Sequence, residues 1–331
     1  MRHFLAIDGG NSKTDVVVGA EDGRILALVR GPGSSPHNLA IEGSVATLDA
    51  LSRDALRIAG VDADLLVACL AGIDLPTERA RYVTVVNETA WATDSVVDND
   101  LFGLLRAGTS DPNAIAVVCG AGINCVGRRA DGRTARFPAL GPLSGDWGGG
   151  GHLAQVALWH AARGEDGRGP ATALSRAIAA HFGQVTVEDV AAAIHLGDIP
   201  ESRTTDLTPL LFDIAESGDV VARRVILRQA REIVTLARVA GERLNLLGRQ
   251  HTMVLGGGLI AARRQSLLIP VMRGLADVAP KATIKIVSEH PVTGAALLAL
   301  DRLGTVTPEI EATLRSAIAE RLAGPSEDAS G

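Results

Sequence analysis

The sequence predicts an α/β protein of two related lobes, and three observations carry that prediction. The chain opens on an apolar run, a glycine turn, a returning apolar run and an Asp-Gly turn, in FLAIDGGNSKTDVVVGAEDGRI (residues 4–25). The same order returns in NAIAVVCGAGINCVGRRADGRT (113–134). A β-meander that recurs within one chain reads as a duplicated unit. The 331 residues suffice for two domains, and 47% hydrophobic against 21% charged residues allow each a sizeable core. Aromatics are only 3%, so that core must be built from Ala, Val, Leu and Ile.

Taken in order, FLAID (4–8) is a strand, GGNSK turns, TDVVVGA (14–20) returns, and RILALVRG (24–31) follows the EDG turn. A nucleotide-binding fold of the simple strand-to-helix kind would not start this way. Leu48, Leu51, Ala55 and Ile58 share one face of a helix over 39–59. DLLVACLAG (64–72) is a buried strand ending in a glycine turn, 76–90 a helix, and DSVVDND (94–100) a strand closing on polar residues. After the second meander come helices near 149–163, 171–182, 187–195, 206–217 and 219–247. A strand followed by a glycine turn over 251–260 and a strand at 282–288 come next, then a helix over 292–304 bounded by Pro291 and Gly304, and a last helix at 308–322. The first lobe is placed at 1–112, with the helix 306–322 a candidate to complete it. The second is placed at 113–305, and the polar residues 323–331 are expected to be a disordered tail.

Charge and composition exclude several classes. A net charge of −6 argues against a nucleic-acid or anionic-membrane surface. The opening apolar run ends at Asp8, too soon for a secretory signal, and no run reaches the ~20 apolar residues of a membrane span. Cys69, Cys119 and Cys125 lack zinc or iron–sulfur spacing and are expected to be buried and reduced, consistent with a cytoplasmic protein.

Five segments can carry chemistry, each with a plainer structural alternative. In Asp8-Gly9-Gly10-Asn11-Ser12-Lys13-Thr14, the glycines let backbone N–H groups approach an anion, and Asp8 could hold Mg²⁺ through water. An ordinary hairpin turn uses the same residues. Gly120-Ala121-Gly122-Ile123-Asn124 repeats the device, and two such hairpins in duplicate lobes suit a polyphosphate. Asp98 or Asp100, at a strand end, could act as a general base on an alcohol, or Asp98 or Asn99 could simply cap a helix from Leu101. The glycine-rich stretch 141–151 holds Asp146 and Trp147, a carboxylate for sugar hydroxyls and a flat ring beside them, or else a flexible loop before a helix. Gly256-Gly257-Gly258 follows a buried strand and could seat a base and ribose, or be a tight turn. No histidine, including His37, His152 and His290 beside these motifs, has metal-ligand spacing.

In this order and spacing the motifs resemble the acetate/sugar-kinase, heat-shock-chaperone and actin superfamily. More narrowly, the chain resembles the BadF/BadG/BcrA/BcrD ATPase family, whose best-known sugar-acting members are N-acetylglucosamine kinases. The resemblance implies a duplicated actin-like (ribonuclease H-like) ATPase fold, two lobes around a central nucleotide cleft, using ATP and Mg²⁺. It implies ATP contacts from Gly9, Gly10, Asn11, Ser12, Lys13, Gly120, Ala121, Gly122, Gly256, Gly257 and Gly258, with Asp8 toward the metal. It implies Asp100 as catalytic base. Sugar contacts fall on Asn38, Leu39, Gly72, Asp100, Ile123, Asn124, Gly141, Gly145 and Asp146. Two departures stand out. Ala121 replaces the threonine of the usual Gly-Thr-Gly, and Trp147 interrupts the usual Gly-Asp-Glu-Gly, after ALGPLS in place of Gly-Trp-Gly-His. A homodimer is expected because dimers are common in that family.

The expected reaction is ATP-dependent phosphorylation of a primary hydroxyl of an amino sugar, with N-acetylglucosamine converted to its 6-phosphate. Glucosamine and N-acetylmuramic acid are alternative substrates, and a non-catalytic ATP or sugar sensor is an alternative of another class. An activator of a radical dehydratase, also found in this family, would need paired cysteines to bridge an iron–sulfur cluster. A sugar-responsive transcription factor would need a helix-turn-helix before the first strand. Neither feature is visible in the sequence.

Overall fold

The computed structural model describes residues 1–304 and 306–323. The chain divides into two units, one formed by Met1–Asp111 with the chain from Val287 onward, the other by Pro112–Ile286.

The first unit is a five-stranded sheet with helices on both faces. In order it contains β1 (His3–Gly9), β2 (Lys13–Ala20), β3 (Ile25–Pro32), α1 (Pro36–Ala59), β4 (Ala63–Leu70), α2 (Pro76–Glu88), β5 (Ala92–Asn99) and α3 (Asp100–Gly108). The sheet order is β3-β2-β1-β4-β5. The β1, β2 and β3 neighbours are antiparallel, while β1, β4 and β5 run parallel. The period of two sorts the core. Leu5, Ile7, Val16, Val18 and Leu66 pack with Leu48, Tyr82 and Val86 of α1 and α2. Phe4, Ala6, Val17, Leu65 and Val67 face the opposite side.

The second unit repeats that plan. It contains β6 (Ala114–Cys119), β7 (Ile123–Arg128), β8 (Thr134–Arg136), α4 (Gly150–Glu165), α5 (Ala173–His181), α6 (Val187–Leu196), α7 (Leu207–Glu216), α8 (Val220–Leu244), β9 (His251–Gly256), α9 (Gly258–Ala261), α10 (Gln265–Val278) and β10 (Ala282–Ile286). Its order, β8-β7-β6-β9-β10, matches the first sheet strand for strand. The strand senses match too, antiparallel across β6, β7 and β8 and parallel across β6, β9 and β10. The duplicated meander read from the sequence is therefore a duplicated sheet. Helices α4 to α8 supply most of this unit's core.

Two helices at the chain's end return to the first unit: α11 (Pro291–Leu303) and α12 (Pro308–Ala323). Val292, Ala295, Leu297 and Leu300 of α11, with Leu314 and Ile318 of α12, cover the Phe4 and Val17 face. This corrects the placement of 287–304 in the second lobe, because α11 buries its apolar side on β1, β4 and α3. Arg106 of α3, 2% exposed, fastens the arrangement. Its Nε reaches Asp301 at 2.7 Å and its Nη2 reaches Glu311 at 2.9 Å. Of the expected tail, Ala323 ends α12, and 324–331 lie outside the described residues. Among the described residues no helix is long and apolar enough to cross a membrane. All three cysteines are free and buried, as expected.

Candidate active site

In the first unit, strand register brings the motifs to one sheet end. Gly9 pairs with Leu70, and Leu70 pairs with Asn99. The glycine turn after β1, the Ala71-Gly72 turn after β4 and Asp100 after β5 therefore share the carboxyl edge of the parallel strands, where α/β sheets bind ligands. Backbone bonds lock the edge, since Gly9 O accepts from Ala71 N at 2.7 Å and Gly10 O from Ser34 N at 3.0 Å. Asn38 Nδ2 reaches Asn11 O at 3.4 Å, and a Cβ on Gly72 would lie 3.0 Å from the Pro36 ring. Asn38, Leu39, Gly72, Asp100 and Gly9 to Lys13 are thus brought together. Asn38 and Leu39 lie in one exposed turn, which Ala40 separates from the rest of α1 by its non-helical φ of 55°.

The electrostatics of this edge centre on three aspartates. Asp8 is 7% exposed. Burial and then the Asp100 carboxylate push it up to about 7, against the pull of Lys13 and Arg30. Asp100 is also pushed up to about 7, by burial and then by Asp74, against backbone hydrogen bonds. Asp15 behaves oppositely. Burial would raise it, but bonds from Arg30 (2.6 and 3.0 Å) and Lys13 (2.5 Å) hold it below the usual range. Lys13, read from the sequence as a charge for phosphate, is therefore already paired. Asn99 is the helix cap, its Oδ1 accepting from Leu101 N at 3.1 Å. The capping alternative is real, and it leaves Asp100 in the first turn of α3.

The sequence reading missed what stands behind this edge. Thr14 Oγ1 donates to Ser34 Oγ at 2.9 Å, Ser44 donates to the Ser34 carbonyl, and Tyr82 donates to Ser44 Oγ at 2.6 Å. One available signal was the pair of serines, Ser44 and Ser52, on the apolar face of α1.

In the second unit three glycine segments meet backbone to backbone. Gly150 N donates to Gly120 O at 2.7 Å and Gly151 N to Ala121 O at 3.0 Å, so the start of α4 docks on the β6–β7 turn. Gly149, at φ 82°, passes so close that a Cβ would sit 2.5 Å from Gly122. Gly257, at φ 91°, leaves a Cβ 2.5 Å from the Cys119 carbonyl. Only glycine fits either position. Gln229, fully buried on α8, accepts from Gly149 N at 2.9 Å. Beside these turns lies a cavity of about 430 Å³, floored by Gly120, Ala121, Gly150, Gly151 and Gly258 and walled by Thr205, Thr208, Pro209, Phe212, Leu259, Ala262 and Arg264. Its walls from α7 and Arg264 were not among the expected residues.

The remaining expected sugar contacts lie in this unit and range from buried Ile123 and Asn124 to exposed Gly145. Ile123 is 7% exposed with its side chain in the core, leaving only its backbone to a ligand. Asn124 Oδ1 accepts from Cys125 N at 2.6 Å. Gly141 and Gly145 bound a short 3₁₀ turn. Asp146 N donates to Gly141 O at 3.0 Å, and its carboxylate accepts from Ser144 Oγ at 2.7 Å. Trp147 does not offer a bare ring, since the Arg228 guanidinium lies 4.2 Å over it and His152 meets it edge-on at 5.0 Å.

Among the described residues no group of three or more His, Cys, Asp and Glu could by itself hold a metal. A single buried carboxylate such as Asp8 still fits Mg²⁺, which keeps several waters and takes its other ligands from phosphates.

A duplicated five-stranded sheet with a glycine turn in each copy and an aspartate at the parallel edge defines the actin-like ATPase and sugar-kinase class of folds. Within that class the chain belongs to the BadF/BadG/BcrA/BcrD ATPase family, which it matches over residues 5–299. It is 26% identical over 264 residues to an N-acetylmuramic acid/N-acetylglucosamine kinase of Clostridium acetobutylicum, covering 78% of this chain and 86% of that one. It is 25% identical over 316 residues to an N-acetyl-D-glucosamine kinase of Dictyostelium discoideum, covering 90% and 98%. A solved Chromobacterium violaceum structure, named as a candidate N-acetylglucosamine kinase, superposes with a TM-score of 0.67 at 22% identity, covering 90% of this chain and 99% of that one.

Proposed function

We propose that the chain is a sugar kinase that transfers the γ-phosphoryl group of ATP to a primary hydroxyl of an amino sugar. N-acetylglucosamine is the first candidate, and glucosamine and N-acetylmuramic acid are alternatives. The observation that carries the proposal is Asp100, a half-buried aspartate with a carboxyl near 7, at the sheet edge that also holds a glycine turn. A base of that strength is matched to taking a proton from an alcohol at neutral pH. The family membership and the two curated relatives support the same reaction.

In this reading Asn38, Asn124 and Asp146 hydrogen-bond the sugar, and Asp100 orients the acceptor hydroxyl. As its oxygen bonds to the γ-phosphorus, Asp100 takes its proton and the bond to ADP breaks. The turns at Gly9–Gly10 and Gly120–Gly122 offer backbone N–H groups to the phosphates, and the segment 256–258 with the neighbouring cavity takes the nucleoside. Asp8 would hold Mg²⁺ through water, and the ion supplies charge neutralisation for the phosphates. Phosphoryl transfer asks mainly for such positioning and neutralisation. The protein is proposed to be cytoplasmic and homodimeric.

An ADP-release assay across hexoses and amino sugars tests this directly. An N-acetylated amino sugar should give the highest turnover. Asp100→Asn should fold with a melting temperature no lower than the parent's and lose ~10²-fold or more in kcat. ATP binding with no sugar phosphorylated would favour the sensor reading instead.

A further inference from the structure

The cavity beside the second glycine hairpin has a property that bears on which nucleotide it accepts. Its polar side chains are already engaged within the protein. Thr205 Oγ1 donates to Ser202 O at 2.8 Å. Thr208 Oγ1 donates to Gly150 O at 2.7 Å. Arg264 lies in a carboxylate fork, with Nη2 2.5 Å from Asp213 and Nε 3.1 Å from Glu216. The floor carbonyls are similarly committed, because Gly120 O and Ala121 O accept from the start of α4 and Gly258 O accepts from Ala262 N at 3.0 Å. What remains on the walls is apolar surface from Pro209 and Leu259, with Phe212 only 3% exposed at the back and the Arg264 guanidinium 5.8 Å from its ring centre.

Adenine and guanine differ along their pairing edge, where an amino donor and a ring acceptor are replaced by a carbonyl acceptor and a ring donor. A site that separates them strongly must place its own donors and acceptors against that edge. The wrong base then leaves buried groups unpaired, and selectivity is high. Flat apolar walls and a guanidinium plane instead attract any base of the right size through its face.

We propose that this cavity takes the donor nucleotide by the shape and stacking of its purine without reading the pairing edge, so that GTP and ITP serve in place of ATP. The proposal rests on the nucleotide placement in the kinase reading and narrows the donor to purine nucleoside triphosphates as a class. Pro209, Leu259 and Arg264 set that preference, and the threonines do not contribute to base choice.

Binding tests this without any sugar turnover. A fluorescent ATP analogue is bound to the full chain with Mg²⁺ and displaced by ATP, GTP, ITP, CTP and UTP. The three purine nucleotides should displace within about five-fold of one another, and the pyrimidines about ten-fold or more weaker, since a smaller base leaves the walls unfilled. Preference for ATP over GTP and ITP beyond about fifty-fold overturns the proposal, because only an edge-reading site discriminates so far. Failure of the analogue to bind, or pyrimidines competing as well as purines, overturns it too. Thr205→Val, at an exposed position, should leave the ATP-to-GTP ratio within about two-fold of the parent. A ten-fold change would show that this hydroxyl reads the base. Should purines displace alike while no sugar is phosphorylated, the donor-site inference stands and the kinase reading fails.

Discussion

Two carboxyls with nearly the same raised value give turnover and stability opposite dependences on pH. Asp100 accepts a proton only as the carboxylate, and burial sets its titration near 7. Turnover should rise with pH through about 7 and level off above it, whereas an ordinary aspartate would already be ionised near ~4. A kcat/KM profile that is flat from mildly acidic to alkaline pH would remove Asp100 from the role of base. The same kind of shift also bears on stability, and Asp8 shows this apart from any role as base. Its folded value, about 7, lies above the unfolded value of 3.8. The unfolded chain therefore releases the proton first, and the folded state loses stability as pH rises between those values. Asp8→Asn has no proton to lose. It should match the parent in thermal melting at the acid end and exceed it by on the order of 4 kcal/mol above neutrality. Equal melting temperatures at both pH values would contradict this. The sequence indicated that Asp8 and Asp100 sit at strand ends, but not their shared sheet edge or their burial, which depend on register between distant strands. Lys13 shows the same limit. It reads as a free cation until β2 and β3 bring Arg30 and Asp15 beside it.

At the scale of elements, both glycine hairpins, the strands that flank them and the long α8 were legible from local pattern, because turn chemistry and alternation are local properties. Helix α10 was not, since Pro270 stands inside it and reads as a breaker. Helix α3 was visible only as a capping alternative, because the same residues, Asn99 and Asp100, serve both as helix start and as site. The contact between α3 and α11 could not be read at all. A Cβ on Gly294 would lie within 1.7 Å of the Gly103 carbonyl, so the two helices cross with no side chain between them. Gly294→Ala must push α11 away from α3 and should cost about 2 kcal/mol or more in denaturant unfolding. A change below ~0.5 kcal/mol would mean that the two helices do not pack this closely.

For the molecule as a whole, the duplication was the most legible feature, since two copies of one meander announce it. The limits of each copy were not. The sequence ended the second lobe at 305, while the contacts return the chain to the first unit at Val287. Nothing in the composition of α11 marks which sheet it will cover, because an apolar helix suits either. The cavity walls from α7 escaped for a related reason. Thr208, Pro209 and Phe212 carry no motif and acquire meaning only when α7 packs near the glycine turns.

That late return has a consequence for biogenesis. The ribosome delivers Pro112–Ile286 as one uninterrupted stretch, yet it finishes the first unit only when α11 emerges, about 190 residues after β5. Until then Phe4, Val17 and Leu65 have no helix to shelter them, a state suited to chaperone capture. A fragment of residues 112–286 should unfold cooperatively by itself. A chain stopped at 286 should keep that transition while its early portion binds a hydrophobic dye and is cut rapidly by protease. Full protease resistance of the early portion in that shortened chain would show that the closing helices are dispensable for maturation.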